Sequence, residues 1–185
     1  MTLHTKAENR NLAQRILTRL GPRITAACEN SLVPTEFLAG LISVEDASLD
    51  PSAKRFEQGV FIKLQRVRDG KLKQSNGIMR SDISGASDAV LRNLATSFGF
   101  TQIMGFHVIA TFKNKITIDD LRDPDQHLDL SVQFIEKEAP SQLKNKAFDK
   151  VLRIHNTGSP NGVTFDPNYV RNALGVMQEY EKLDG

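Results

Sequence analysis

The chain has 185 residues, a net charge of +2 from 24 basic and 22 acidic residues, and one cysteine. This length suits one ordinary hydrophobic core, and no composition break or linker divides the sequence. The small, evenly spread charge does not argue for nucleic-acid binding. The lone Cys28 excludes an internal disulfide framework and a cysteine metal cluster. No stretch approaches a membrane span, and the first residues lack the apolar core of a signal peptide.

The first predicted elements are helices. Thr5 and Glu8 form a capping-box pattern, and apolar residues follow at helical spacing until Gly21-Pro22, where we expect the helix to end. A short helix over 23–29 comes next, so that residues 1–30 form N-terminal helices. A further helix is predicted over 34–46.

Glu45 is the most informative residue of the 34–46 helix. It lies on the same helical stripe as the apolar residues Phe37, Leu38, Leu41 and Ile42. Burial and the negative pole of the helix dipole both disfavour a carboxylate anion there. A protonated carboxylic acid at the edge of an apolar face is suited to general acid catalysis. The alternative is a structural glutamate that reaches solvent or caps a neighbour, and the residues taken alone favour that alternative.

The middle of the chain begins with short elements. After Asp50-Pro51, the pattern predicts an extended piece over 54–57 and a helix over 58–67 that Asp69-Gly70 closes. Residues 71–84 are polar and glycine-punctuated, which is typical of a surface loop or small hairpin.

The next segment is predicted as a helix-turn-helix joint with exposed polar groups. Ser87-Asp88 caps a helix that runs through Phe98 and ends at Gly99, the position of a C-terminal glycine cap. A second helix is predicted from Thr101.

Four more helix starts are predicted toward the C-terminus. They lie at Thr117, at Asp123-Pro124, at Ser141 for a helix over 141–154, and at Asp166-Pro167 for a helix over 167–183. The chain is therefore predicted to be mainly helical, with one small extended patch.

Four segments, in order, resemble the lysozyme-like superfamily, the fold of goose-type lysozymes and soluble lytic transglycosylases. SFGFTQIMGFH resembles its glycine-x-x-glutamine motif, and IMGF is similar to the phage-type N-acetylmuramidase domain. ISVEDASLDPSAKRFEQGVF resembles the glutamate-bearing helix end with its arginine-phenylalanine-glutamate signature. IHNTGSPNG resembles the tyrosine-asparagine-x-glycine loop, and PNYVRNAL resembles the start of the last helix. Four ordered matches over 34–180 outweigh the structural alternative for Glu45.

The resemblance implies an α+β lysozyme-like fold that is mainly α. It implies one catalytic domain over 1–185, with a motif-bearing core over 34–183 and a small extended or β-hairpin patch beside the active-site cleft. Glu45 corresponds to the general acid. The residues expected to contact substrate are Gly99, Gln102, His155, Asn156 and Tyr169. For Asn156 and Tyr169 the structural alternatives, a turn-capping amide and a core-edge ring, stay open.

Three positions depart from the family pattern. His155 stands where the family usually has tyrosine, Phe98 where muramidase relatives often have tryptophan, and Asp46 where serine commonly follows the glutamate. His155 is better suited to packing or hydrogen bonding than to catalysis as a base. No metal-ligand constellation accompanies the four histidines, so we expect neither a metal nor another cofactor.

The sequence offers two candidates for the second catalytic carboxylate. Glu57, in the extended patch, is the first candidate, and Asp50 is the second, although Asp-Pro sequences commonly end helices. If Glu57 holds a water at roughly 6.5–9.5 Å from Glu45, the enzyme should hydrolyse with inversion. If no carboxylate is in reach, the substrate's own N-acetyl or 6-hydroxyl group could complete a lytic transglycosylase reaction.

The resemblance implies a peptidoglycan-cleaving N-acetylmuramidase that cuts the β-1,4 bond between N-acetylmuramic acid and N-acetylglucosamine. The expected partners are peptidoglycan glycan strands, with no nucleic acid and no stable membrane association, and the expected state is a monomer. Without a signal peptide, the protein is expected to be made in the cytoplasm and to act on the cell wall as a phage or prophage endolysin or a delivered effector. The alternatives are a lytic transglycosylase that forms 1,6-anhydromuramic ends, a catalytically silent glycan-binding module, and an unrelated helical module that binds protein or nucleic acid.

Overall fold

The computed structural model describes all 185 residues. It is mainly helical, with eleven helices and five short strands, which confirms the predicted fold class of a mainly α protein with a small β patch. The chain forms two compact units, the first from residues 1–49 and 128–185 and the second from residues 50–127. The single catalytic domain stays a prediction. No helix combines the length and the apolar composition needed to cross a membrane.

The first unit consists of helices. They are α1 Lys6–Cys28, α2 Thr35–Glu45, α8 Pro124–Glu138, which begins in the second unit, α9 Pro140–Lys144, α10 Phe148–Thr157 and α11 Tyr169–Asp184. Helices α2 and α11 approach closely at Gly40, where an added Cβ would lie 2.6 Å from the carbonyl oxygen of Ala173. The absence of a side chain at Gly40 therefore sets the distance between these helices.

Helix α1 begins as predicted but ends later. The capping box is present, since Thr5 Oγ1 accepts from the backbone N–H of Glu8 and the Glu8 carboxylate accepts from that of Thr5. The predicted end at Gly21-Pro22 and the separate helix over 23–29 are wrong, because α1 continues to Cys28 with Pro22 inside it. Proline in a helix interior costs about 3 kcal/mol. The buried stripe, which continues past Pro22 through Ile24 to Cys28, offsets this cost.

The C-terminal helices also differ from the prediction. The helix expected over 141–154 is wrong, because α9 ends at Lys144 and α10 begins at Phe148. Lys146, with φ of +52°, adopts the left-handed conformation that interrupts the helix. The last helix begins at Tyr169 rather than at residue 167, after a turn in which Asp166 Oδ1 accepts from the backbone N–H of Asn168 at 2.8 Å.

The second unit combines short helices with two small sheets. Its elements are β1 Lys54–Phe56, α3 Gln58–Arg68, β2 Gln74–Ser75, β3 Ile78–Met79, α4 Arg80–Ile83, α5 Asp88–Leu94, β4 Thr96–Phe98, β5 Ile103–Met104, α6 His107–Ala110 and α7 Ile118–Arg122. The larger sheet is antiparallel in the order β1-β4-β5, and β2 and β3 form a separate hairpin. The extended piece over 54–57, the α3 helix and the hairpin within 71–84 are confirmed.

The predicted helix-turn-helix joint over 97–107 is wrong. Helix α5 ends at Leu94, and residues 96–104 form the β4–β5 hairpin, in which Ser97 is paired with Met104. Pairing of β4 with β1 overrides the helical period of the sequence. The polar groups expected to be exposed are largely buried, with Ser97 at 1% and Thr101 at 0% exposure.

Candidate functional site

Glu45 is the last residue of α2, with Asp46 as the C-cap. Its side chain is only 8% exposed, because the stripe that carries it packs into the first unit's core. All four apolar residues of that stripe, Phe37, Leu38, Leu41 and Ile42, are buried. The carboxyl group therefore lies at the edge of the core, at the helix end where the backbone dipole is negative.

The nearest polar partner of Glu45 is Tyr169, the first residue of α11. The Tyr169 hydroxyl donates a hydrogen bond to Glu45 Oε1 at 2.5 Å, within the range of short bonds between a hydroxyl and a carboxylate. Tyr169 is 3% exposed, so its ring is fixed by packing. The bond holds one carboxyl oxygen and leaves Oε2 of Glu45 to carry or deliver a proton.

His155, in the last turn of α10, is the second neighbour of Glu45. Its Nε2 lies 3.6 Å from Glu45 Oε1, and its side chain is 7% exposed. This distance exceeds that of a hydrogen bond, so the contact is electrostatic when the imidazole is protonated. The ring also packs edge-on against Phe134, with 5.7 Å between centroids. His155 thus combines packing with a charge interaction that depends on its protonation.

The segment around His155 is helical, so the predicted loop beginning with residues 154–156 is wrong. Helix α10 extends to Thr157 and ends at Gly158, whose φ is +73°. Asn156 is exposed on this helix and is therefore not a turn-capping amide. Asn156 is one position after His155 and therefore points to a different face of the helix.

Gln102 lies in the β4–β5 turn of the second unit. Its φ is +52°, and its side-chain amide bridges the turn. Oε1 accepts from Ser97 Oγ at 2.7 Å, and Nε2 donates to the Gly99 carbonyl at 2.8 Å. Each end of the amide still has one hydrogen-bonding valence available, so Gln102 is held in one orientation and can bind a further group.

Gly99 is covered by His127, a residue that sequence reasoning weighed only as a metal ligand. Gly99 has φ of +69°, and an added Cβ would lie 2.5 Å from two atoms of the His127 ring. His127 Nδ1 is 3.0 Å from the Leu121 carbonyl, so it carries a proton, and Nε2 accepts from the backbone N–H of Thr101 at 3.3 Å. No local pattern indicated this role, because the contacts join residues distant in sequence.

The two candidate carboxylates for the second catalytic group lie in the second unit. Glu57 precedes α3, and its Oε1 accepts from Arg55 Nε at 2.6 Å while the side chain is 38% exposed. Asp50 Oδ1 accepts from both the hydroxyl and the backbone N–H of Ser52 at 2.8 Å. These two bonds lower the pKa of Asp50 and indicate a turn-stabilising role.

Phe98 and Asp46, two of the positions that depart from the lysozyme-like pattern, contact other residues of the chain. Phe98, on β4, is 2% exposed, and the Arg122 guanidinium lies 5.1 Å from its ring centroid. Its ring is therefore occupied by the core and by a cation, not open to a sugar. Asp46 accepts from the backbone N–H of Ser48 at 3.2 Å and also from its hydroxyl, so it shapes the turn after α2.

A cavity of about 180 Å³ lies beside the β4–β5 turn in the second unit. It is lined by Pro51, Ser52, Ala53, Lys54, Phe98, Gly99 and Arg122. No group of three or more His, Cys, Asp or Glu side chains is arranged to hold a metal ion.

The seven predicted site residues fall into two groups. Glu45, Tyr169 and His155 meet in the first unit, where exposed Asn156 follows His155. Glu57, Gly99 and Gln102 belong to the second unit. No protein-family model, curated protein or solved structure matches this chain.

Proposed function

We propose that the protein is a peptidoglycan-cleaving glycosidase, an N-acetylmuramidase with Glu45 as the general acid. The observation that carries this proposal is the Glu45 carboxyl group, which is 8% exposed and held by Tyr169 at 2.5 Å. A largely buried carboxyl group with one oxygen fixed by a donor is the kind of group that protonates a leaving oxygen in glycoside cleavage. The substrate class rests on the four sequence segments that resemble lysozyme-like enzymes.

In the proposed reaction, Glu45 Oε2 gives a proton to the glycosidic oxygen between N-acetylmuramic acid and N-acetylglucosamine. The bond from the anomeric carbon to that oxygen breaks, and the electron pair stays with the protonated leaving sugar. Glu45 becomes an anion at this moment. The Tyr169 hydroxyl stabilises the anion through its hydrogen bond to Oε1, and a protonated His155 would do so electrostatically.

Glu57 is the proposed base that activates water. Because Arg55 Nε is bonded to Glu57 Oε1 at 2.6 Å, Oε2 is the oxygen that would accept the water proton. In an inverting hydrolysis, the activated water forms the new bond to the anomeric carbon on the face opposite the departing sugar. Glu57→Gln should abolish hydrolysis if this assignment is right. If Glu57→Gln retains activity and yields 1,6-anhydromuramic ends, the protein is a lytic transglycosylase.

The decisive experiment measures turbidity loss of purified peptidoglycan by the native protein and by Glu45→Gln. We expect the variant to lose activity by at least roughly a hundredfold, since general acid catalysis commonly contributes that much or more. Glu36→Gln is the matched control, because Glu36 lies in the first turn of the same helix. Mass analysis of the soluble fragments should find reducing muramic acid ends.

Two results would overturn this proposal. Equal clearing by the native protein and Glu45→Gln would remove Glu45 from catalysis. No clearing by a folded native protein on several wall types, with retained binding to the walls, would favour the catalytically silent glycan-binding module.

A further inference from the structure

The positive charge of this chain is concentrated in one segment of the second unit. Residues 58–80 carry six basic residues, namely Lys63, Arg66, Arg68, Lys71, Lys73 and Arg80, and one acidic residue, Asp69. The segment thus contributes +5 and the remainder of the chain −3, which together give the net charge of +2. The expectation of an evenly spread charge is therefore wrong, because the near-neutral total conceals a strongly basic region.

The one acidic residue of the segment is already neutralised by one of the six cations. Arg68 Nε bonds Asp69 Oδ1 at 2.9 Å, and its Nη1 bonds Asp88 Oδ1 at 2.5 Å. These bonds lower the pKa of Asp88 and raise that of Arg68. The other five basic residues are all exposed. We call Lys63, Arg66, Lys71, Lys73 and Arg80 the basic platform.

Backbone contacts gather the basic platform around the end of α3. The Arg66 carbonyl accepts from the N–H groups of Lys71 at 2.8 Å and Leu72 at 3.0 Å, so the chain folds back onto the helix end. The Arg80 guanidinium lies over Gly70, with Nη1 3.5 Å from where a Cβ would be. Lys63 is one helical turn before Arg66 on the same face. Lys63, Arg66, Lys71 and Arg80 therefore lie around the last turns of α3, and exposed Lys73 follows two residues after Lys71.

We infer that the basic platform binds a polyanion with repeating phosphate groups, specifically the phosphodiester polymer attached to a bacterial cell wall. The inference rests on the proposed function, since a wall-cleaving enzyme works beside such polymers. Exposed lysine and arginine side chains suit repeated phosphates, because each ion contact releases bound counterions and requires no shaped pocket.

The platform fits single-stranded nucleic acid and a membrane surface less well. Binding of single-stranded nucleic acid uses exposed aromatic rings on which bases stack, and the only aromatic residue of 58–80, Phe61, is 8% exposed. A membrane-surface helix needs a free apolar face. The apolar face of α3, formed by Phe61, Leu64 and Val67, is instead packed into the core of the second unit.

The test measures co-sedimentation with purified cell walls, in the Glu45→Gln background so that the walls stay intact. Lys63, Lys71 and Lys73 are replaced together by Gln, and in a second variant by Arg. We expect the Gln variant to bind about a hundredfold more weakly at low salt, from roughly fivefold for each cation, with a shallower salt dependence. The Arg variant should bind as the parent does, which shows that the loss follows from the charge and not from replacement of these lysines as such.

Two controls separate this surface from general charge and from the glycan. Replacement of Lys144, Lys146 and Lys150 by Gln removes the same charge from exposed positions of the first unit and should leave binding unchanged. On walls stripped of phosphodiester polymer with hydrofluoric acid, the parent protein should bind as weakly as the Gln variant of the platform. Equal binding before and after stripping, equal loss in the first-unit control, or no loss in the platform variant would each overturn the inference.

Further measurements test the alternative ligands of the platform and the proposed enzymatic activity separately. Tighter binding to duplex DNA, to a single strand or to vesicles of anionic phospholipid than to intact walls would also overturn the inference. Wall cleavage is measured in parallel with the native chain. Platform-dependent binding without cleavage would support the platform and reject the enzyme, whereas cleavage with unchanged binding would do the reverse.

Discussion

The two compact units hold their polar residues in different ways. In the first unit, Tyr169 bonds Glu45 across 124 positions of the sequence, and the partners meet because helices α2 and α11 pack together. In the second unit, Gln102 is bonded to residues three and five positions away. The packing of two helices thus orients Glu45, whereas hydrogen bonds within its own hairpin orient Gln102. Substitutions that separate helices should affect the first site, and substitutions that change a turn should affect the second.

The largest expected effect comes from widening the contact between α2 and α11. Gly40→Val should lower the free energy of unfolding by about 3 kcal/mol, because the new side chain would overlap a backbone oxygen that cannot rotate away. Thermal or urea unfolding measures it. Gly59→Val in α3 is the matched control, since a Cβ there meets nothing within 4 Å, and it should change stability by less than about 0.5 kcal/mol. Similar effects at both positions would show that packing at Gly40 is not special.

In the second unit, the corresponding test concerns the β4–β5 turn. Gly99→Ala should cost about 2 kcal/mol, because alanine disfavours the left-handed conformation and its Cβ would overlap the His127 ring. Gly158→Ala is the control, since Gly158 has a similar φ of +73° but open space around it. The Gly158→Ala variant should lose about 1 kcal/mol of stability, from the backbone conformation alone. Equal costs would mean that the His127 ring moves aside freely.

Gly99 also explains why part of the fold could not be predicted from the sequence. A left-handed glycine ends many helices and also forms many tight turns, so the local signal is the same for both. What distinguishes them here is pairing of β4 with β1, where Ser97 is opposite Arg55, far away in the sequence. By contrast, the capping residues Thr5 and Thr117 were read correctly, because a cap and its partner lie three residues apart.

The sequence predicts the burial of candidate site residues better than it predicts their partners. The helical period alone put Glu45 on the buried stripe, and its side chain is 8% exposed. The loop predicted around His155 is wrong, because helix α10 extends through this segment. His127 could not be found, since it bonds Thr101 across 26 positions. Local periodicity thus predicts burial, whereas the partners of a buried group require the tertiary structure.

Smaller losses of stability are expected when the hydroxyl groups that orient Glu45 and Gln102 are removed. Tyr169→Phe should lower stability by about 2 kcal/mol, because a largely buried carboxyl group loses its donor. Ser97→Ala should cost about 1 kcal/mol, since the acceptor of Ser97 is the neutral amide of Gln102. Chemical denaturation of both variants measures the difference. If Ser97→Ala proved the more destabilising, the β4–β5 turn would depend on its side-chain bonds more than Glu45 does.

The smallest expected effects concern the dependence of stability on pH. Cys28 in the first unit affects stability at alkaline pH, and Asp88 in the second unit affects it at acid pH. Burial, together with the nearby carboxylates Glu36 and Glu136, raises the pKa of Cys28 in the first unit to about 12. The folded state therefore retains the thiol proton more tightly than the unfolded chain, whose thiol titrates near 9.0. Stability from this group is present below pH 9.0 and is lost as the pH rises toward 12. Alkylation of native Cys28 at pH 8 should accordingly be at least about tenfold slower than after unfolding.

The pKa of Asp88 in the second unit is shifted in the opposite direction from that of Cys28. Its hydrogen bond from Arg68 lowers its pKa below the ordinary 3.8, so its contribution is present above that pH and is lost as the pH falls below it. Because this carboxylate is solvent-exposed, the effect should be small and weakened by salt. Asp88→Asn should flatten only the acid side of a plot of melting temperature against pH, and Cys28→Ala only the alkaline side. A change on the alkaline side in Asp88→Asn would contradict this assignment, because no proton of Asp88 titrates there.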